Sequence, residues 1–394
     1  MPINLNENMK RVLLYIRNNY PVSRVDIAEK LDITKPTSSR IIEKLINENL
    51  IIEEGYGEST GGRRPTLLTF NPNCFYSFGV SIGRKEIKVA LVNLNGEFKE
   101  FKEMPITGKE EEDMIFTFIQ ESFFEMMIDV NVDISRILGV GVGIPGPVKI
   151  ENKMVTTPTF FSGKPTPIIE KINGFIDVPI IIEKDANAAA LAEKWFGLGK
   201  EMDNFVYVMA DVGVGCGLII QKQLYRGADG EAGGLGHTTI NIFGEQCSCG
   251  NFGCLETIVS VPKIEENLRG KLKLTWNEES RFLELKSPDD VNFKTITKAL
   301  NNGSTMVRTE LHNVGMYLGV GIANVVSFFN PEVVILGGAI GSVDIVKDSV
   351  KESLFSRVIG SKGKVVPVHS SKFEEGVVLG AAALIIEDTF SIFS

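Results

Sequence analysis

His237, Cys247, Cys249 and Cys254 are the residues whose types and spacing point most directly to chemistry. They fall in GHTTINIFGEQCSCGNFGCLE, residues 236–256, where three of the chain's five cysteines lie within eight positions. One imidazole and three thiols are a full tetrahedral ligand set for Zn²⁺. No position is left for water, so the expected site is structural and not hydrolytic. Gly250 and Gly253 permit the tight turns that bring closely spaced thiolates onto one ion. Free or disulfide-bonded cysteines in a surface loop would leave both the glycine placement and the upstream histidine unexplained.

A second group of candidate residues sits near the N-terminus. Residues 6–20 place Met9, Val12, Leu13 and Ile16 on one helical face, and Pro21 ends that helix. Ser23 can cap a second helix that buries Val25, Ile27, Ala28 and Leu31. After the turn Asp32-Ile33-Thr34, a third helix tolerates Pro36 in its first turn and turns Ile41, Ile42, Leu45 and Ile46 inward. Its first half should expose Lys35, Thr37, Ser38, Ser39 and Arg40, short hydroxyl and basic side chains suited to base edges and phosphates. A hairpin follows with Arg63 and Arg64 near its tip, a wing for the DNA backbone or a narrow minor groove. A helical dimerisation domain would also account for three helices, but not for the double-arginine wing.

These elements must be carried by something larger. At 394 residues the chain exceeds one ordinary core, so two or three domains are expected. The net charge of −9 argues against general nucleic-acid affinity, but it is uneven. Residues 1–70 carry ten Lys/Arg and nine Asp/Glu, a net +1, which leaves −10 for the remainder. No apolar run reaches the length of a bilayer span, and MPINLNENMKR has no apolar signal core. Clustered cysteines in such a chain read as cytoplasmic and reduced.

Beyond Asn71-Pro72 strands alternate with helices, an α/β pattern. FYSFGVSIG, KEIKVALVNLNG and EFKEFKEMPI read as three strands, with Asn95-Gly96 as a hairpin turn. Residues 110–130 form an amphipathic helix, PIIIEKDANAAALAEKWFG a strand with a helix starting near Asp185, and VVLGAAALIIED a closing helix. Two strand-glycine-strand passages, at 78–92 and 205–220, look like the starts of two similar halves with a cleft between them.

With STGGRRPTLLTFNP, GIPGPV, DANAAALAE, GH…CSCGNFGCLE and ILGGAI in this order, the whole chain resembles the regulator branch of the ROK family (repressors, open reading frames, kinases). The resemblance implies a winged helix-turn-helix domain at 1–70 and a two-lobed actin-like, hexokinase-like sensor at 71–394, with the zinc segment at 237–254. It implies a sugar between the lobes, operator DNA as partner, and a homodimer or homotetramer. Asp185 corresponds to the general base of the family's kinases, and a carboxylate at that place can also simply hydrogen-bond a sugar. An Asp there can equally serve as a helix cap. The implied sugar set is Gly143, Pro145, Gly146, Asp185, His237 and Glu256. Two departures lie within it: Lys184 stands where the family has Asn, and Gly234 where it has Glu, with Glu231 nearby.

The nucleotide side departs further. The family's kinases open with Asp-x-Gly-Gly-Thr, whereas this chain reads Ser81-Ile82-Gly83-Arg84-Lys85. The Gly-Thr-Gly loop is Gly213-Val214-Gly215, and Gly337-Gly338 complete that side. Phosphoryl transfer needs positioning and charge neutralisation around the phosphates. The loss of these groups argues against ATP and Mg²⁺ chemistry. The expected function is a sugar-responsive repressor of carbohydrate-utilisation genes. The alternatives are a glucose- or N-acetylglucosamine-type kinase that also binds DNA, or a regulator that answers to a phosphosugar through Arg84, Lys85 or Lys184.

Overall fold

A computed structural model describes residues 5–57, 64–107, 112–146, 148–151, 154–156, 164–357 and 366–392. The first module contains α1 (Glu7–Asn19), β1 (Val22–Ser23), α2 (Arg24–Lys30), α3 (Lys35–Asn47), β2 (Ile51–Tyr56) and β3 (Thr66–Phe70). Local chemistry sets its helix starts. The Asn6 side chain accepts the Met9 N–H, Ser23 and Asp26 form a reciprocal capping box, and Thr34 caps α3. Leu13, Ile16, Ile27, Ile42 and Leu45 are fully buried, each contributing roughly 1.5–3 kcal/mol. Val25 does not join them and is 42% exposed. At about 100° per residue it points roughly 110° away from the mean direction of Ile27, Ala28 and Leu31.

Two α/β lobes follow. The first holds β4 (Tyr76–Ile82), β5 (Glu86–Asn93), β6 (Phe98–Pro105), α4 (Glu112–Asp129), β7 (Ile137–Ile144), the hairpin β8 (Lys149–Glu151) and β9 (Met154–Thr156), α5 (Ile168–Asn173), β10 (Ile180–Lys184) and α6 (Asp185–Phe196). Its sheet order is β10-β7-β4-β5-β6. The second holds β11 (Phe205–Ala210), β12 (Val214–Ile220), β13 (Gln223–Tyr225), α7 (Glu256–Val259), α8 (Val261–Leu283), α9 (Phe293–Asn301), α10 (Thr305–Phe329), β14 (Val333–Gly337), α11 (Gly338–Gly341), α12 (Asp344–Arg357) and β15 (Val368–Ser370). Its order is β13-β12-β11-β14-β15. In each sheet the first three strands are antiparallel, and the fourth and fifth run parallel to the first. The expected duplication is therefore present strand for strand.

The last helix, α13 (Gly376–Phe390), returns to the first lobe. It lies directly on the sheet, where a Cβ on Gly141 would fall 1.7 Å from the Ala381 carbonyl oxygen. One hydrophobic core runs on from the winged helix into the sensor. Leu13 and Ile16 belong to it together with Phe70, Leu94, Trp195 and Phe390. Among the described residues one helix, α10, is long and apolar enough to cross a bilayer by length and composition. It begins at Thr305, ahead of the apolar run, and half of its apolar window is buried. Gly315 and Gly319 let it pack against Val346, Ser349 and Ser353 of α12.

Candidate functional site

The two lobes enclose a cleft of about 310 Å³. From the first lobe, β10 runs straight into α6 and delivers Asp185 to its floor. The residue is the first of the helix rather than its cap, and its Oδ1 accepts the Ala186 N–H at 2.7 Å. Burial pushes the Asp185 carboxyl up to about 7, and the like charge of Asp211 adds to this. The Ala186 N–H, Arg84 and Lys184 pull the other way. A carboxyl poised near neutrality can accept a proton or a hydrogen bond from a hydroxyl.

The second lobe contributes His237 and Glu256. Glu256 opens α7, and its Oε2 accepts the Val214 N–H at 2.8 Å, which leaves its other oxygen for the cleft. His237 turns Nδ1 toward Cys247 Sγ, 3.6 Å away. Cys249 and Cys254 are 3.7 Å apart, and the ligand atoms of all four residues lie within 4.8 Å of one another. A regular tetrahedron with metal–sulfur bonds of about 2.3 Å has edges of about 3.8 Å, so the four donors fit one tetrahedral ion. Gly253 makes this approach possible. Its φ is +64°, and a Cβ there would fall 1.6 Å from the Asn241 carbonyl oxygen.

Pro145 and Gly146 line the same cleft, as do Ser81, Gly83, Gly213, Gly215 and Gly338. Gly143 and Gly337 do not. A Cβ on Gly143 would meet Val377 at 2.8 Å, and one on Gly337 would meet the Tyr207 hydroxyl at 1.8 Å. Both sit beneath the surface of the cleft and serve close packing, a distinction that depends on what covers each strand end. Arg84 lies against Gly213, where a Cβ would stand 3.5 Å from Nη2. Lys184 folds along Gly146 and donates to the Ala232 carbonyl across the cleft rim. Beside Gly234 there is open space, with nothing within 4 Å of where a Cβ would stand.

Sequence reasoning missed two features. Asp211 caps both glycine turns of the second lobe, accepting from Val212 N at 2.8 Å and Ala339 N at 3.1 Å. Its only sequence signal is an Asp at a strand end before glycines. Buried Glu183 pairs with Arg226 at 2.6 Å and also accepts from Asn187 and Lys184 N, so it pins the 226–234 segment to the first lobe.

On the winged helix, Lys35, Thr37 and Arg40 are exposed on α3, Ser39 is half-buried, and Arg64 is exposed. Ser38 is a correction. It is 1% exposed, and its hydroxyl donates to the Arg24 carbonyl, which removes it from any DNA-facing surface. Its place one turn before Ile41 and Ile42 puts it on the buried side of α3. Arg63 lies outside the described residues.

Comparison with known proteins agrees with this architecture. Residues 5–52 match the winged helix-turn-helix DNA-binding family and residues 77–388 match the ROK family. The chain is 33% identical to the xylose repressor of Caldicellulosiruptor bescii over 391 residues, covering 98% of this chain and 96% of that one. Among solved structures it superimposes on a ROK family transcriptional regulator, a homologue of the E. coli MLC protein, with a TM-score of 0.81 and 26% identity over 97% of this chain and 96% of that one. A Streptomyces griseus ROK family glucokinase in complex with glucose and AMPPNP gives a TM-score of 0.69 and 25% identity, covering 78% of this chain and 98% of that one. With the winged helix in front of two matching lobes and the cysteine-histidine cluster at the cleft, this chain belongs to the ROK family.

Proposed function

We propose that this protein is a sugar-responsive transcriptional repressor of carbohydrate-utilisation genes, acting on operator DNA in the cytoplasm as a homodimer or homotetramer. The observation that carries the reading is one cleft holding Asp185, His237 and Glu256 from both lobes, on a sensor whose core is continuous with a winged helix. Asp185 and Glu256 accept hydrogen bonds from sugar hydroxyls, and His237 offers the ring nitrogen that does not face the thiols. His237, Cys247, Cys249 and Cys254 hold Zn²⁺, which orders the loop that presents His237 and Glu256. Sugar favours the closed cleft, and closure weakens operator binding by population shift.

Fluorescence-anisotropy titration of DNA from upstream of its own gene, at fixed salt and against xylose, glucose and N-acetylglucosamine, tests this. Release by one sugar supports the reading, whereas specific binding that no free sugar alters points to a phosphosugar. The kinase alternative rests on Asp185, whose pKa suits a base. Ser81, Arg84, Lys85 and Val214 stand against it, and ATP turnover on the same sugars decides it.

Two further outcomes are expected. Arg64→Ala should weaken operator binding and reduce its salt slope by about one. An unchanged slope would take Arg64 off the phosphates. Gly234→Glu should fill the open space without backbone strain, since φ is −71°. The added acceptor should tighten sugar binding by about tenfold. Calorimetry showing equal or weaker binding would mean that Gly234 does not face the sugar.

A further inference from the structure

The helix that starts in the cleft ends against the winged helix. α6 spans twelve residues, about 18 Å, with Asp185 at one end and Trp195-Phe196 at the other. It has no slack along its length. A Cβ on Gly380 of α13 would fall 1.7 Å from the Ala188 carbonyl oxygen, and one on Gly217 of β12 would fall 2.6 Å from that of Ala186. Its first half is thus gripped by an element packed on each lobe, and interiors this dense transmit displacement rather than absorb it. At the far end Trp195 is 7% exposed, and its indole N–H donates to Glu387 at 2.6 Å. Lys194 pairs with the same carboxylate, so α13 holds the end of α6 firmly.

The Trp195 carbonyl accepts from Arg17 Nη2 at 3.2 Å, across 178 residues of sequence. The Arg17 guanidinium also stacks 4.8 Å from the Trp195 ring centroid and 5.7 Å from that of Phe196. Arg17 lies in the last turn of α1, whose Leu13 and Ile16 pack in one core with Ile42 and Leu45 of α3. A small void of about 10 Å³ lies beside it, bounded by Leu14, Phe70, Leu94 and Phe390.

We propose that α6 is the rod through which the winged helix reads cleft occupancy, and that Arg17 is the positioning residue at its far end. The proposal rests on the sugar-sensor reading. When the lobes move about a bound sugar, the packed first half of α6 is displaced as one piece with its far end, and the Trp195 carbonyl carries α1 with it through Arg17. The contact is suited to this. Burial lowers Arg17 only to about 10, so it remains a cation at neutral pH, facing the negative end of the helix dipole.

The test uses the full chain, a duplex covering the region upstream of its own gene, and xylose, glucose and N-acetylglucosamine as probes. The quantity read is the factor by which sugar weakens DNA binding, of the order of 5–150-fold for allosteric pairs. Arg17→Ala should retain DNA affinity without sugar and sugar affinity without DNA, each within about threefold. The factor itself should fall to less than about a third of the wild-type value, and linkage requires the same fall in the effect of DNA on sugar binding. Arg17→Lys, which keeps the charge but not the planar fork, should restore part of it, and it replaces Arg17→Ala if that protein melts early. Wild-type coupling in both variants overturns the proposal. So does an Arg17→Ala protein whose DNA affinity falls in step with its melting temperature, since that makes Arg17 an ordinary structural contact. A wild-type protein that no sugar releases overturns the sensor reading, and this inference with it.

Discussion

Cys249→Ser protein is expected to lose its metal and about two orders of magnitude in sugar affinity while still binding operator DNA. Cys249 is the exposed member of the four ligands, so replacing it leaves the core intact and the effect reports on the metal. What the metal would hold follows from the chain path. His237 is itself a ligand, and Cys254 is two residues before Glu256. The backbone between them is tied by Leu255 N to Thr238 O and Gly253 N to Glu245 O. Without the ion these turns must hold alone, and both second-lobe sugar contacts lose their fixed positions. Two hydrogen bonds at about 1–1.5 kcal/mol each amount to roughly a hundredfold. Metal content by chelator titration and sugar binding by calorimetry check this. A metal-free variant with undiminished sugar affinity would dissociate the cluster from the site.

The second large effect has two signs. Asp185→Asn should blunt the sugar response and at the same time stabilise the fold above neutral pH. An ordinary Asp titrates near 3.8, and Asp185 is pushed up to about 7. Between those values the folded protein holds a proton that the unfolded chain has released. The group's contribution is therefore full below about pH 4 and is lost as pH rises through 7. Above 7 the buried charge destabilises the fold by roughly 2–4 kcal/mol relative to a neutral side chain. The melting temperature of Asp185→Asn should exceed that of the wild type at pH 8, and the two should converge near pH 4. Sugar affinity should fall by about tenfold, because an amide is a weaker acceptor than a carboxylate. Parallel melting curves across that pH range would show that Asp185 is not desolvated.

The parts legible in the sequence are those encoded locally. The cluster at 237–254 brings its four ligands together within one short loop, and the cap at Ser23 is read directly from the residues beside it. The two matching sheets were legible because each repeats the same strand-turn-strand opening. What escaped depends on distant partners. Ser38 reads as a surface hydroxyl until α2 places the Arg24 carbonyl over it. Gly143 and Gly337 read as cleft turns until Val377 and Tyr207 cover them. Glu183 with Arg226, and Arg17 with Trp195, join segments whose separation in the chain hides any pattern.

The return of α13 to the first lobe has a consequence for how the protein is made. The surface beside Gly79 and Gly141 that α13 covers is complete only after residues 376–390 leave the ribosome. Until then the strands of the first lobe must wait with an apolar face open, while the whole second lobe is synthesised in between. Ile386 and Phe390 also lie in the core shared with α1. A chain arrested early would thus carry its DNA-reading helices without the seat they rest on, and unfinished protein would be a poor competitor for the operator.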